Sequence, residues 1–267
     1  MRLSRLVLLS TGVAAFAACS STDKITDTAF PPLAGVRFIN ALADTGAVDI
    51  RMIDQVELSA FANALAFRSG TQSQPTEAKA RHIRVFPTSF DQAVTQKYML
   101  DTTITFSANV NVTLLLTGSA RAKTVKFVVL TDNPPTAAAG QIAIRAVNTA
   151  TGAIDAYVVT DTTIAIPTGT ALANVAPLAT SAYVTRATGT AWVRVADAGT
   201  ATVNFSAPGP VSAAQLPGEL PAAGVNTAGT AFSVFYFPRS VAGSTAPQTA
   251  AFLKPIAIWF VDRVPTS

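Results

Sequence analysis

Chemistry in this chain would have to rest on very few side chains. The 267 residues include one histidine, His82, and one cysteine, Cys19. One imidazole and one thiol exclude a multi-histidine zinc site, a cysteine zinc knuckle and a disulfide framework. A Ser-His-Asp triad would have to use His82, and no Gly-x-Ser-x-Gly elbow surrounds any serine. In His82-Ile83-Arg84-Val85, strand alternation turns Ile83 and Val85 to the core and leaves His82 with Arg84 on the other face. That reading makes His82 a solvated or loop-covered group rather than a base. Asp49 and Asp155 stand at equivalent places in two similar segments. An aspartate at a strand entrance accepts backbone N–H groups and fixes a turn, so both are expected to be structural turn acids. Neither has the dense Asp/Asn spacing of a calcium loop, and the remaining carboxylates are too scattered to nominate a glycosidase pair. No metal and no cofactor is implied. Trp192 and Tyr183 are the candidate ligand contacts, as parts of a sugar-stacking platform. The competing expectation is that such aromatics pack on the two faces of a sheet.

The thiol has a different prospect. Arg2 and Arg5 precede an apolar run from Leu6 to Phe16, too short to span a bilayer as a helix. Phe16-Ala17-Ala18-Cys19 follows, and it resembles the lipobox of bacterial lipoproteins, with Phe16 where leucine is usual. The resemblance implies cleavage before Cys19, a diacylglycerol thioether on its sulfur, and a membrane as partner. Two acyl chains suffice for stable anchoring. Ser20 and Ser21 follow, with no aspartate to favour inner-membrane retention, so the expected location is the outer membrane. Loss of residues 1–18 leaves 17 Lys+Arg against 15 Asp+Glu. The net charge falls from +4 to near +2, so the sequence pI of about 9.5 gives no case for nucleic acid as a partner.

Positioning falls to strands. Hydrophobic residues make up 49% of the chain and charged residues 13%, a balance that argues against disorder. Residues 19–33, Pro-containing and aperiodic, read as a lipidated tether. Two related units follow, 34–133 and 140–264. Val36-Arg37-Phe38-Ile39-Asn40 matches Ile144-Arg145-Ala146-Val147-Asn148. Ala62-Asn63-Ala64 matches Ala173-Asn174-Val175, and His82 to Val85 match Trp192 to Val195. Val129-Leu130-Thr131-Asp132 matches Trp259-Phe260-Val261-Asp262. Asn133-Pro134-Pro135 opens the joint between them. Short β-branched and aromatic runs with turn signals between them predict six strands in the first unit and seven in the second, with few helices. The Pro- and Gly-rich stretch 208–229 is the expected long loop of the second unit.

The segment Asn40-Ala41-Leu42-Ala43-Asp44-Thr45-Gly46-Ala47-Val48-Asp49-Ile50 resembles the domain of unknown function 4397, keeping that family's Ala41, Asp44, Ala47, Val48 and Asp49. The resemblance extends to Leu172-Ala173-Asn174-Val175 with Tyr183. It implies an all-β fold of two tandem immunoglobulin-like or transthyretin-like β-sandwiches in an exported protein, and no known reaction. The expected function is therefore a non-enzymatic, lipid-anchored envelope protein serving as a scaffold, adhesion or binding module. A carbohydrate-binding lipoprotein is the alternative and a hydrolase a more distant one. A protein or glycan partner stays open.

Overall fold

The computed structural model describes residues 30–55, 60–166, 170–213 and 222–265. Cys19, the expected signal and most of the tether lie outside them, as does the middle of the 208–229 stretch. Residues from Leu33 onward form one compact body.

Its first half holds β1 (Leu33–Asn40), β2 (Val48–Met52), β3 (Ala62–Leu65), β4 (Gln74–Glu77), β5 (Ala80–Pro87), a single helical turn α1 (Gln92–Thr95), β6 (Leu100–Thr105), β7 (Asn111–Thr117) and β8 (Lys126–Thr131). Its second half holds β9 (Gln141–Asn148), β10 (Ile154–Val159), β11 (Thr170–Val175), β12 (Val184–Ala187), β13 (Trp192–Asp197), β14 (Val203–Pro208), β15 (Ala231–Phe237) and β16 (Ile256–Arg263). Sheets β4-β1-β7-β8 and β3-β2-β5-β6 make one sandwich, and β12-β9-β15-β16 and β11-β10-β13-β14 the other. The second order repeats the first strand for strand. Even the parallel pairs recur, Phe38 beside Leu114 in one unit and Ala146 beside Val234 in the other. The fold is all-β, two tandem β-sandwich units.

Three short strands escape the sequence pattern, and each has a physical reason. β3 bends at Ala64, whose φ is +48°, and β11 bends at Asn174, φ +51°. Such residues break the extended run that strand reading depends on. β4 is Gln-Pro-Thr-Glu, polar and proline-bearing, a composition tolerated at a sheet edge.

Burial follows the alternation of side chains. Val36, Phe38, Ile50, Ile83, Leu114 and Leu116 fill the first core. Ile144, Ala146, Val193, Phe232 and Val234 fill the second. The opposite faces of β1, β7, β9 and β15 are also covered. Ile39, Leu115, Val147, Phe235 and Phe237 form a third cluster along a seam between the two inner sheets. Every residue of β15 is buried for that reason.

Polar groups lock the seam reciprocally. Arg37 donates from Nε to Thr113 (2.6 Å), from Nη1 to the Val261 carbonyl (3.0 Å) and from Nη2 to Asp262 (2.5 Å). Arg145 donates to Ser233 (2.7 Å), to the Thr131 carbonyl (2.9 Å) and to Asp132. Each unit thus supplies an arginine to the other unit's terminal aspartate. Both arginine side chains are 4% exposed and Asp262 is fully enclosed. Burial raises the Asp132 carboxyl, against the pull of Arg37, the Thr113 hydroxyl and Arg145.

Candidate functional site

Asp49 accepts from the Ala64 N–H (2.8 Å) and the Thr88 hydroxyl (2.7 Å). Asp155 accepts from the N–H groups of Asn174 (2.6 Å) and Gly199 (2.8 Å). Both carboxylates therefore hold the bent residue of a neighbouring short strand. Asn40 and Asn148 tie the same loops, donating to the Leu65 and Val175 carbonyls at 2.9 Å each.

Tyr183 and Trp192 do not come together. The Tyr183 hydroxyl donates to Asp262 at 2.7 Å, and the Arg145 guanidinium lies 4.8 Å over its ring. Burial and then the Asp262 charge push its hydroxyl far above the usual phenol range. It belongs to the seam. Trp192 is half-buried on the outer sheet of the second unit, packed on a small cluster with Tyr157, Val159, Ile166 and Ala196. Residues 161–166 cross this sheet face as a roof, and the Ile164 carbonyl accepts from Arg194.

The equivalent face of the first unit is solvated. Across β2, β5 and β6 runs the row Arg51–Arg84–Asp101, with His82 and Thr103 paired in the next row. Asp101 accepts from Arg84 Nε at 2.8 Å and faces His82 Nε2 with its other oxygen. The His82 contact first, and then Arg84, hold its carboxyl below the usual range. The Arg84 guanidinium lies 5.1 Å over Tyr98 and that of Arg51 5.9 Å over Phe86. Tyr98 is 54% exposed, and Phe90, in the loop that carries α1, is wholly exposed. This face gathers aromatic rings, guanidinium donors, an imidazole and two carboxylates, Asp101 and, across from Phe86, Asp49. It can bind, through hydrogen bonds and charge. Arg81, on the opposite face of β5, is 3% exposed and paired with Asp54 and Glu77.

Two further features carry less chemistry. An open cleft of about 390 Å³ lies at the foot of the seam, lined by Asn109, Asn111, Asn133, Asp132, Asp262 and Arg263 among others. Its two carboxylates are the ones already committed to the arginines. At the other end Arg68 donates to the carbonyls of Pro238 (2.7 Å), Ala251 (3.0 Å), Phe252 (3.2 Å) and Lys254 (2.6 Å). Burial pulls its pKa down to about 10. It staples the loop 238–255 of the second unit to the first. Nothing in the sequence marks this arginine or that loop. Among the described residues no group of three or more His, Cys, Asp and Glu is placed to hold a metal ion.

Residues 34–157 match DUF4397. It is a domain of unknown function, and it is the family that the Asn40–Ile50 segment resembles. The DUF4397 match spans the whole first unit, crosses the joint and ends in β10, so it takes in both seam arginines. No curated protein matches the chain. Among solved structures, a leucine-rich repeat protein from Bacteroides thetaiotaomicron VPI-5482 aligns at 11% identity with a TM-score of 0.16, covering 66% of this chain and 24% of that one. The chain thus spans about a quarter of that protein's length.

Proposed function

We propose that this is a non-enzymatic binding module of the cell envelope, held to the membrane by a lipid on Cys19. The observation that carries the reading is the contrast between the two outer sheets. Of two faces built on one plan, one is covered by the chain itself, and the other leaves cations and aromatic rings in solvent. An exposed face of that composition on a rigid double sandwich suits recognition. His82, the only imidazole, is engaged with Asp101 on that face, and its backbone N–H donates to Asp54. Among the described residues no helix is long and apolar enough to cross a membrane.

Fractionation tests the anchor. Wild-type protein should stay with membranes through a carbonate wash, and Cys19→Ala should appear in the soluble fraction. A Cys19→Ala protein that remains in the washed membrane would refute lipid anchoring.

A further inference from the structure

The outer face of the first unit poses a charge problem. Arg51 and Arg84 are direct cross-strand partners. Side chains so placed have Cβ atoms ~4.5–5.5 Å apart, and like charges there are destabilising. One carboxylate, Asp101, serves the row, and it is already shared by Arg84 and His82. Among the described residues no carboxylate pairs with Arg51. Its guanidinium instead lies on Phe86, as that of Arg84 lies on Tyr98. Stacking holds each planar fork in place; Arg84 gives its Nε–H to Asp101, and the Nη N–H groups of the two arginines suit bidentate binding of an anion. An anionic group bridging the two would remove the repulsion.

The second unit shows what such a face accepts. Tyr157 and Arg194 are the cross-strand partners there, at the register positions of Arg51 and Arg84. The roof 161–166 lies over them and presents the Ile164 carbonyl to Arg194. Its side chains rest on an apolar bed of Tyr157, Val159 and Ala196. A turn of the chain that offers a carbonyl oxygen to the arginine is thus the occupant of this face. In the first unit the bed is Arg51, Ile53 and Phe86, so a cation stands where the second unit has a tyrosine and the apolar floor is broken. A chain of hydroxyls and anions suits it better.

We propose that the outer sheet of the first unit binds an acidic polysaccharide, its carboxylate or sulfate groups held by Arg51 and Arg84 beside the rings of Phe86 and Tyr98. The proposal deepens the binding-module reading and rests on it. It concerns an exported protein meeting polymers outside the cell, and it does not depend on which leaflet holds the lipid.

Affinity electrophoresis of the purified full-length protein tests it, with four polymers in the gel. Polygalacturonate supplies carboxylates, dextran sulfate supplies sulfates, plain dextran is the neutral control, and poly-glutamate is the peptide rival. Retardation by one or both acidic polysaccharides is expected, and which of them retards names the anion. The double variant Arg51→Ala/Arg84→Ala should bind at least about tenfold more weakly, as loss of charge-assisted hydrogen bonds implies. Lys126→Ala, an exposed cation on β8, should bind as wild type does. Arg51 and Lys126 are exposed and Arg84 is partly so, and unchanged thermal unfolding would show intact folds. No retardation by either polyanion, equal losses in the Lys126 variant, or stronger retention by poly-glutamate would overturn the proposal. The Cys19→Ala fractionation is read separately, so failure of the anchor and failure of the ligand are distinguishable.

Discussion

The outer sheets of the two units have the same strand order and register and opposite surfaces. β10 is buried at every position, whereas β2 alternates and leaves Arg51 in solvent. Tyr157 is 5% exposed under its roof, and Arg51, at the same register point, is exposed. The loops diverge in the same sense. Residues 88–99 of the first unit project Phe90 and Tyr98, while the equivalent turn 198–202 of the second is short. The second unit spends its extra length on 209–230 and 238–255 instead. A repeated scaffold therefore carries its differences at the outer sheets and turns and its sameness at the seam.

That comparison can be broken by substitution. The seam should give the largest effect. Asp262→Ala leaves two buried arginines short of a partner and should cost about 3–5 kcal/mol in urea unfolding. Asp132→Ala should cost a similar amount; a large inequality would show that the reciprocity is geometric only. Next come the register partners on the outer sheets. Tyr157→Ala removes a buried ring and should cost about 3 kcal/mol, and Arg51→Ala should stay within about 0.5 kcal/mol. Equal costs would erase the distinction between covered and open faces. The paired arginines should differ less. Arg194→Met loses a charged hydrogen bond under the roof, about 1.5–3 kcal/mol, and Arg84→Met loses an exposed ion pair, about 0–1 kcal/mol.

The smallest effect is one of acidity. Asp44 anchors the first unit's loop, taking the Ser119 hydroxyl (2.6 Å) and the N–H groups of Ala120 and Arg121 (3.1 Å each). Burial alone would raise its carboxyl, but the Ser119, Arg121 and Ala120 bonds together hold it below the usual carboxylate range. A depressed carboxyl contributes stability that is present above its unfolded value and lost as pH falls through the folded one. Wild type should therefore lose stability below about pH 4 faster than Asp44→Asn does. Parallel urea midpoints against pH would show that Asp44 contributes nothing.

Much of this was legible beforehand. β-branched runs, glycine turns and four repeated anchors gave the strands and the duplication. Asp49 and Asp155 each accept backbone N–H groups, which a carboxylate near a strand entrance has within reach. Tyr183 was harder. A tyrosine near an edge strand has one sequence signature whether it meets a ligand or a buried aspartate 79 residues away. The seam did leave a trace. Leu114-Leu115-Leu116 and Phe232 to Phe237 are apolar on both parities, as strands covered on two faces are. Arg37 and Arg145 inside such runs are the exception that marks the clamp. The roof rests on Ile164 and Ile166, two residues in a polar stretch, too few to announce a cover.

The exchanged arginines have a further consequence. An interface in which each half gives the other the same contact is what two separate copies of one domain would form on pairing. Here the joint 133–140 makes that pairing intramolecular, at an effective concentration set by a short linker, on the order of millimolar. Dilution cannot part the halves, and neither can lose its neighbour without exposing a buried charge. The chain should therefore melt as one cooperative unit, with two hydrophobic cores and a single transition.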